Sequence, residues 1–94
     1  MQVTLETRLV RSEDVMHVSV GDDETVMMSI AGGYYYGLNP VATWIWRLLE
    51  KPQALSDVCN SLIEEFEVDR PACEKEVLQF AQQLVDHQIV GPAD

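Results

Sequence analysis

The sequence predicts an α+β domain, a three-stranded antiparallel sheet followed by three helices, and three observations lead there. Before residue 39, β-rich runs are separated by glycine-containing turns. After it, apolar residues recur at helical spacing. All strand signals precede all helix signals, the order of a fold whose helices cover one face of a sheet. With 94 residues, 47% of them hydrophobic, the chain reads as a single domain, 1–94, near the lower limit for one stable core.

Residues 1–14 mix charge with single apolar residues and read as an arm or a short edge strand at Val3–Leu9. The run Val15-Met16-His17-Val18-Ser19-Val20 is the first clear strand, closed by the turn Gly21-Asp22-Asp23. Glu24 to Ile30 is the second, with Val26, Met28 and Ile30 on one face and Thr25, Met27 and Ser29 on the other. Ala31-Gly32-Gly33 turns the chain again into the third strand, Tyr34–Leu38. Turns this short join antiparallel neighbours. Tyr36 and Leu38 share a face and are expected to contribute to the core.

Asn39-Pro40 opens the first helix, because Asn caps an N-terminus well and Pro is tolerated at the first helical position. Ala42, Ile45, Trp46 and Leu49 line one face, and Val41, Trp44 and Leu48 a second, so this helix must be sandwiched or serve a partner. Lys51-Pro52 breaks the chain. The second helix is expected from about Ser56, as cap, to about Glu67, with a stripe of Leu55, Val58, Cys59, Leu62, Ile63 and Phe66. Asp69 is the expected cap of the third, which extends to about Gln88 before Gly91-Pro92. Val77, Phe80, Ala81 and Leu84 share one of its faces, with Leu78, Val85 and Ile89 beside it. The order of parts also fits a winged helix-turn-helix arrangement.

Charge argues against the DNA binding that such a fold suggests. Six Lys and Arg against sixteen Asp and Glu leave −10, whereas nucleic-acid affinity rests on neutralising phosphates. The outer positions of the second and third helices are mostly acidic or neutral, and neither suits a recognition helix. No apolar run approaches membrane-spanning length, and the N-terminus lacks the apolar block of a signal peptide, so a cytoplasmic protein is expected.

Catalytic chemistry is thinly supplied. His17 and His87 have no nearby ligand set of zinc-type spacing, and no glycine-rich phosphate loop is present. Cys59 lies in an apolar stripe, where a thiol behaves as a small hydrophobe. Cys73 lies in the first turn of the third helix, a position that can lower a thiol pKa. Glu64, Glu65 and Glu67 read as a solvated face. Neither an enzyme nor a cofactor is expected.

The positive signal is the tyrosine strand. If the strands pair in sequence order, Tyr34–Leu38 becomes an edge unless the N-terminal arm covers it. Edges are ordinarily protected by charge or proline, and Tyr34, Tyr35 and Tyr36 supply neither. Tyrosine is also enriched at interfaces. Such an edge suits an extended peptide that adds as a further strand.

The run Tyr35-Tyr36-Gly37-Leu38-Asn39, with Ala42, the Ile45-Trp46 pair and Leu49, resembles the PqqD-like family, and the likeness extends over about residues 15–91. More narrowly it is similar to the discrete leader-binding proteins of lasso-peptide biosynthesis. The resemblance implies that a precursor's leader peptide adds to the third strand, in the cleft between that strand and the third helix. It further implies a non-catalytic protein that delivers the precursor to a separate leader peptidase. Carried onto this chain, Tyr34, Tyr35 and Tyr36 would bond the peptide backbone. Val77, Phe80, Ala81 and Leu84 would receive its apolar anchors, either lining the groove or lying beneath it. Trp44 with the first helix, or Met27 on the sheet's other face, are the candidates for a peptidase surface. Two alternatives stay open: a PqqD-like chaperone serving a radical-type modifying enzyme, and a self-associating domain whose edge pairs with its own copy.

Overall fold

The computed structural model describes residues 1–13, 15–21, 24–29 and 33–93, with Ser29 and Tyr34 through their backbone alone. The expected turn residues Asp22, Asp23, Ala31 and Gly32, and Ile30 of the second strand, lie outside the described residues.

The expected sheet is present as β2 (Val15–Ser19), β3 (Thr25–Ser29) and β4 (Tyr34–Leu38), after an earlier strand β1 (Arg8–Arg11). The order is β2-β3-β4 and both pairings are antiparallel, with Met16 opposite Met28, Met28 opposite Tyr35, and Met27 opposite Tyr36. Gly33 enters β4 at φ 71, in the left-handed region that glycine takes without a Cβ penalty.

Three helices follow, α1 (Pro40–Leu48), α2 (Leu55–Phe66) and α3 (Arg70–Asp86). The Asn39 side chain caps α1, its Oδ1 accepting from the Ala42 N–H at 2.8 Å. Ile45, Trp46 and Leu49 are buried on the first predicted face of α1, and Val41, Trp44 and Leu48 pack at the margin of the core on the second. From α2 the core receives Leu55, Val58, Cys59 and Leu62, and from α3 Cys73, Val77, Ala81 and Leu84.

A second sheet departs from the expectation of three strands. Its order is β5-β1-β6, with β5 at Gln53–Ala54 and β6 at Val90–Pro92, both antiparallel to β1. The expected arm or strand at Val3–Leu9 is instead a strand at Arg8–Arg11, in the middle of a sheet. It leaves the β4 edge uncovered. Gly91-Pro92, expected as a stop after α3, belongs to β6.

Helix boundaries shift for the same reason. The N-terminal segment lies over the start of α2, where the N–H groups of Leu55 and Ser56 donate to the carbonyls of Thr7 and Leu5 at 3.0 and 2.9 Å. Tertiary contacts thus satisfy donors that a side-chain cap would otherwise serve, and Ser56 lies inside the helix. Asp69 is the N-cap residue of α3, without a side-chain cap bond. That helix ends two residues earlier than expected, where His87 caps it and Gln88 turns left-handed at φ 60. The chain then places Ile89 and Val90 in the core.

The two faces of β3 are the reverse of their hydrophobicity. Thr25 and Met27 are buried, whereas Val26 is exposed and Met28 half-buried. Met27 is fully enclosed, so it is no candidate for a docking surface on the sheet's other face.

Candidate functional site

Strand β4 forms one edge of its sheet, since among the described residues only β3 pairs with it. Side chains alternate along it: Tyr35 is 75% exposed, Tyr36 half-buried against the core and Leu38 buried. Tyr34 joins the strand through its backbone opposite Ser29. No described position on β4 carries a charge.

The C-terminal end of helix α3 meets this strand at Tyr36. The rings of Tyr36 and His87 approach to 5.6 Å between centroids, while Asn39 and Phe80 line one cleft at the other end of the strand. Phe80 and His87 are seven residues apart on one helical face, about 10 Å along the axis. Tyr36 and Asn39 are three residues apart in extended chain, again about 10 Å. One ring contact and one shared cleft thus connect α3 to β4 and to the residue that follows it.

The cleft has a volume of about 250 Å³. Its floor is the buried set Ile45, Leu62, Cys73 and Val77, and its sides include Val41, Phe66 and Phe80. Glu76 also lines it and supplies an exposed carboxylate at the mouth. The site therefore combines a free strand edge with an apolar recess, and its local charge is negative.

Of the four candidate residues on α3, Phe80 is half-buried and reaches the cleft wall, and Val77 reaches the floor. Ala81 and Leu84 are 0% and 2% exposed and form the packed layer beneath. Asn39, Val41 and Phe66 were not candidates from sequence. The first looked only like a cap and the other two only like core, and it is the crossing of α1, α2 and α3 that opens them onto one recess.

Trp44, a candidate for a second surface, packs on α2 instead. Its Nε1–H donates to Ser61 Oγ at 3.0 Å, and its ring meets Phe66 edge-on at 6.0 Å. The thiols are free and buried, with Cys73 Sγ 3.9 Å from the Cys59 carbonyl oxygen. Burial, and next the neighbouring Cys73, push the Cys59 thiol up to about 12. Burial likewise raises Cys73, overriding the lowering that its first-turn position suggested. Glu64, Glu65 and Glu67 are exposed, as expected. Among the described residues no group of three or more His, Cys, Asp or Glu is placed to hold a metal ion. No helix among them is long and apolar enough to cross a membrane.

Comparison with known proteins adds to this geometry. The family described as Coenzyme PQQ synthesis protein D (PqqD) matches residues 24–90. The structure of TbiB1 in complex with the TbiA(beta) leader peptide superposes with a TM-score of 0.79 at 31% identity, covering 90% of this chain and 99% of that one. A lasso peptide synthetase B1 complexed with the leader peptide gives a TM-score of 0.74 at 23% identity, covering 89% and 98%, a likeness of fold alone. No curated protein matches the chain.

Proposed function

This chain belongs to the PqqD family, and from that premise we propose that it is a recognition element of lasso-peptide biosynthesis that binds a precursor's leader peptide. The leader adds antiparallel or parallel to β4 as a fourth strand, with its backbone on Tyr34, Tyr35 and Tyr36. Its alternate side chains turn toward α3, and one apolar anchor enters the cleft beside Phe80 and above Val77. Ala81 and Leu84 support that wall from beneath. The protein then delivers the bound precursor to a separate leader peptidase and performs no chemistry of its own.

The observation that carries this reading is the uncharged free edge of β4 set beside an apolar recess on α3. The edge supplies main-chain bonding that is indifferent to sequence, and the recess supplies the choice of side chain. Asn39, the residue that follows β4, lines that cleft, whereas among the described residues neither β2 nor its flanking residues reach it. The neighbour that shares 31% of its residues was solved with a leader peptide bound, which supports the same ligand class here.

The direct test is a fluorescence-anisotropy titration with a labelled lasso leader peptide beside a duplex DNA control. Saturable peptide binding between micromolar and nanomolar, about −8 to −12 kcal/mol, is expected, with no DNA response. Absence of peptide binding, with dimers at the same concentration, overturns the reading in favour of a self-associating edge.

A further inference from the structure

The outward face of the β2-β3-β4 sheet holds five of the seven large hydrophobic side chains exposed among the described residues. Among the described residues Met16 is 55% exposed, Val18 62%, Val26 37% and Tyr35 75%. The pairings join them: Met16 lies opposite Met28, Val18 opposite Val26, and Met28 opposite Tyr35. Val20, 58% exposed, continues the same alternation just beyond β2. A contiguous apolar face of this kind on a small domain marks an interaction site more often than a solvated surface. None of these positions is charged, which is the composition of an interface centre.

Charge selects the occupant. The chain carries −10, so a second copy or an anionic lipid surface is repelled on approach. A protein with an apolar patch ringed by Lys and Arg is attracted, and the basic rim steers its encounter. Position adds to this. Tyr35 lies on β4, so the same strand borders both this face and the edge proposed for the leader. A strand added to β4 would lie about 5 Å away, within reach of anything seated on the face.

We propose that this sheet face is the docking surface for the enzyme that processes the bound precursor, and that the enzyme meets it with a basic-rimmed apolar patch. The inference rests on the leader-recognition reading and names the second partner of the same strand.

The test uses the full chain with the leader peptidase encoded beside its precursor, comparing wild type with Val18→Lys, Met16→Lys and Val18→Glu. Both positions are exposed on an edge strand, where charge is well tolerated. Circular dichroism confirms folding, and anisotropy with the labelled leader gives its Kd. Expected are a leader Kd within about twofold of wild type and peptidase affinity reduced about tenfold or more in the lysine variants, a hot-spot-sized loss. Val18→Glu is expected to lose less than Val18→Lys, because it complements a basic rim.

Unchanged peptidase affinity in both lysine variants overturns the proposal. So does a wild-type dimer in sedimentation that Val18→Lys disperses, which would give the face to a second copy. Binding to phosphatidylglycerol vesicles that Val18→Glu abolishes also overturns it, giving the face to a lipid surface. Failure of the leader to bind wild type is a separate result and falls on the recognition reading.

Discussion

Tyr36 on β4 and His87 at the end of α3 face each other with ring centroids 5.6 Å apart and planes tilted by 55°. This contact joins the proposed peptide edge to the helix that flanks it, so it sets the width of the groove at one end. The Asn39–Phe80 cleft sets it at the other. His87→Ala should cost about 0.5–1.5 kcal/mol of stability, the worth of an aromatic pair. It should also weaken leader binding beyond what that loss explains. Denaturant unfolding beside an anisotropy titration checks both, and unchanged affinity would show that the groove does not depend on this contact.

The two free edges of one sheet allow an internal control. Tyr35→Pro removes a main-chain donor from the open edge of β4, and Ser19→Pro does the same on the open edge of β2. Strand addition at β4 predicts that leader affinity collapses in the first variant and survives in the second, with helical dichroism retained in both. The opposite pattern would move the peptide to β2.

Phe80 and Leu84 separate groove from core. Phe80→Ala opens the cleft wall and should weaken leader binding about tenfold or more, with a stability loss of about 1–3 kcal/mol for a half-buried ring. Leu84→Ala should cost about 2–5 kcal/mol of stability, because the side chain is 2% exposed. Once allowance is made for its unfolded fraction, its leader affinity should remain near wild type. Affinity lost equally in both variants would put Leu84 in direct contact with the peptide.

Much of this arrangement was legible in the sequence. Asn39-Pro40 fixed the start of α1 because a cap is a local interaction, and the 3.6-residue stripe of α2 named its buried residues. The second sheet was not legible: β5 has two residues and β6 three, too short for alternation to register. Their pairing with β1 depends on contacts far apart in sequence, such as Arg11 opposite Val90. Which face of β3 turns inward was not legible for a related reason. Periodicity separates Val26 and Met28 from Thr25 and Met27, but only packing on α1 and the helices behind it decides which set turns inward. At the site, the tyrosine edge was visible as uncharged strand. The cleft was not, because it is assembled from three helices.

The cysteines give a prediction in pH. Cys59 rises from its ordinary 9.0 to about 12 through burial, and Cys73 rises by the same cause. Both thiols stay protonated in the folded state while the unfolded chain begins to release their protons near pH 9. The stability this protects is fully present below pH 9 and is lost as pH rises from there toward 12. Thiolate is the reactive form, so iodoacetamide at pH 8 should label neither cysteine in the native protein and both in denaturant. A fluorescence-monitored unfolding series from pH 7 to about 11 should show the decline, and Cys59→Ala with Cys73→Ala should flatten it in that range. The flattening is the decisive comparison, because lysine and tyrosine titration also weakens proteins at high pH but survives removal of the thiols. An equally steep decline in the double variant would assign the pH dependence to those other groups, and rapid native labelling at pH 8 would show that the α2–α3 interface opens.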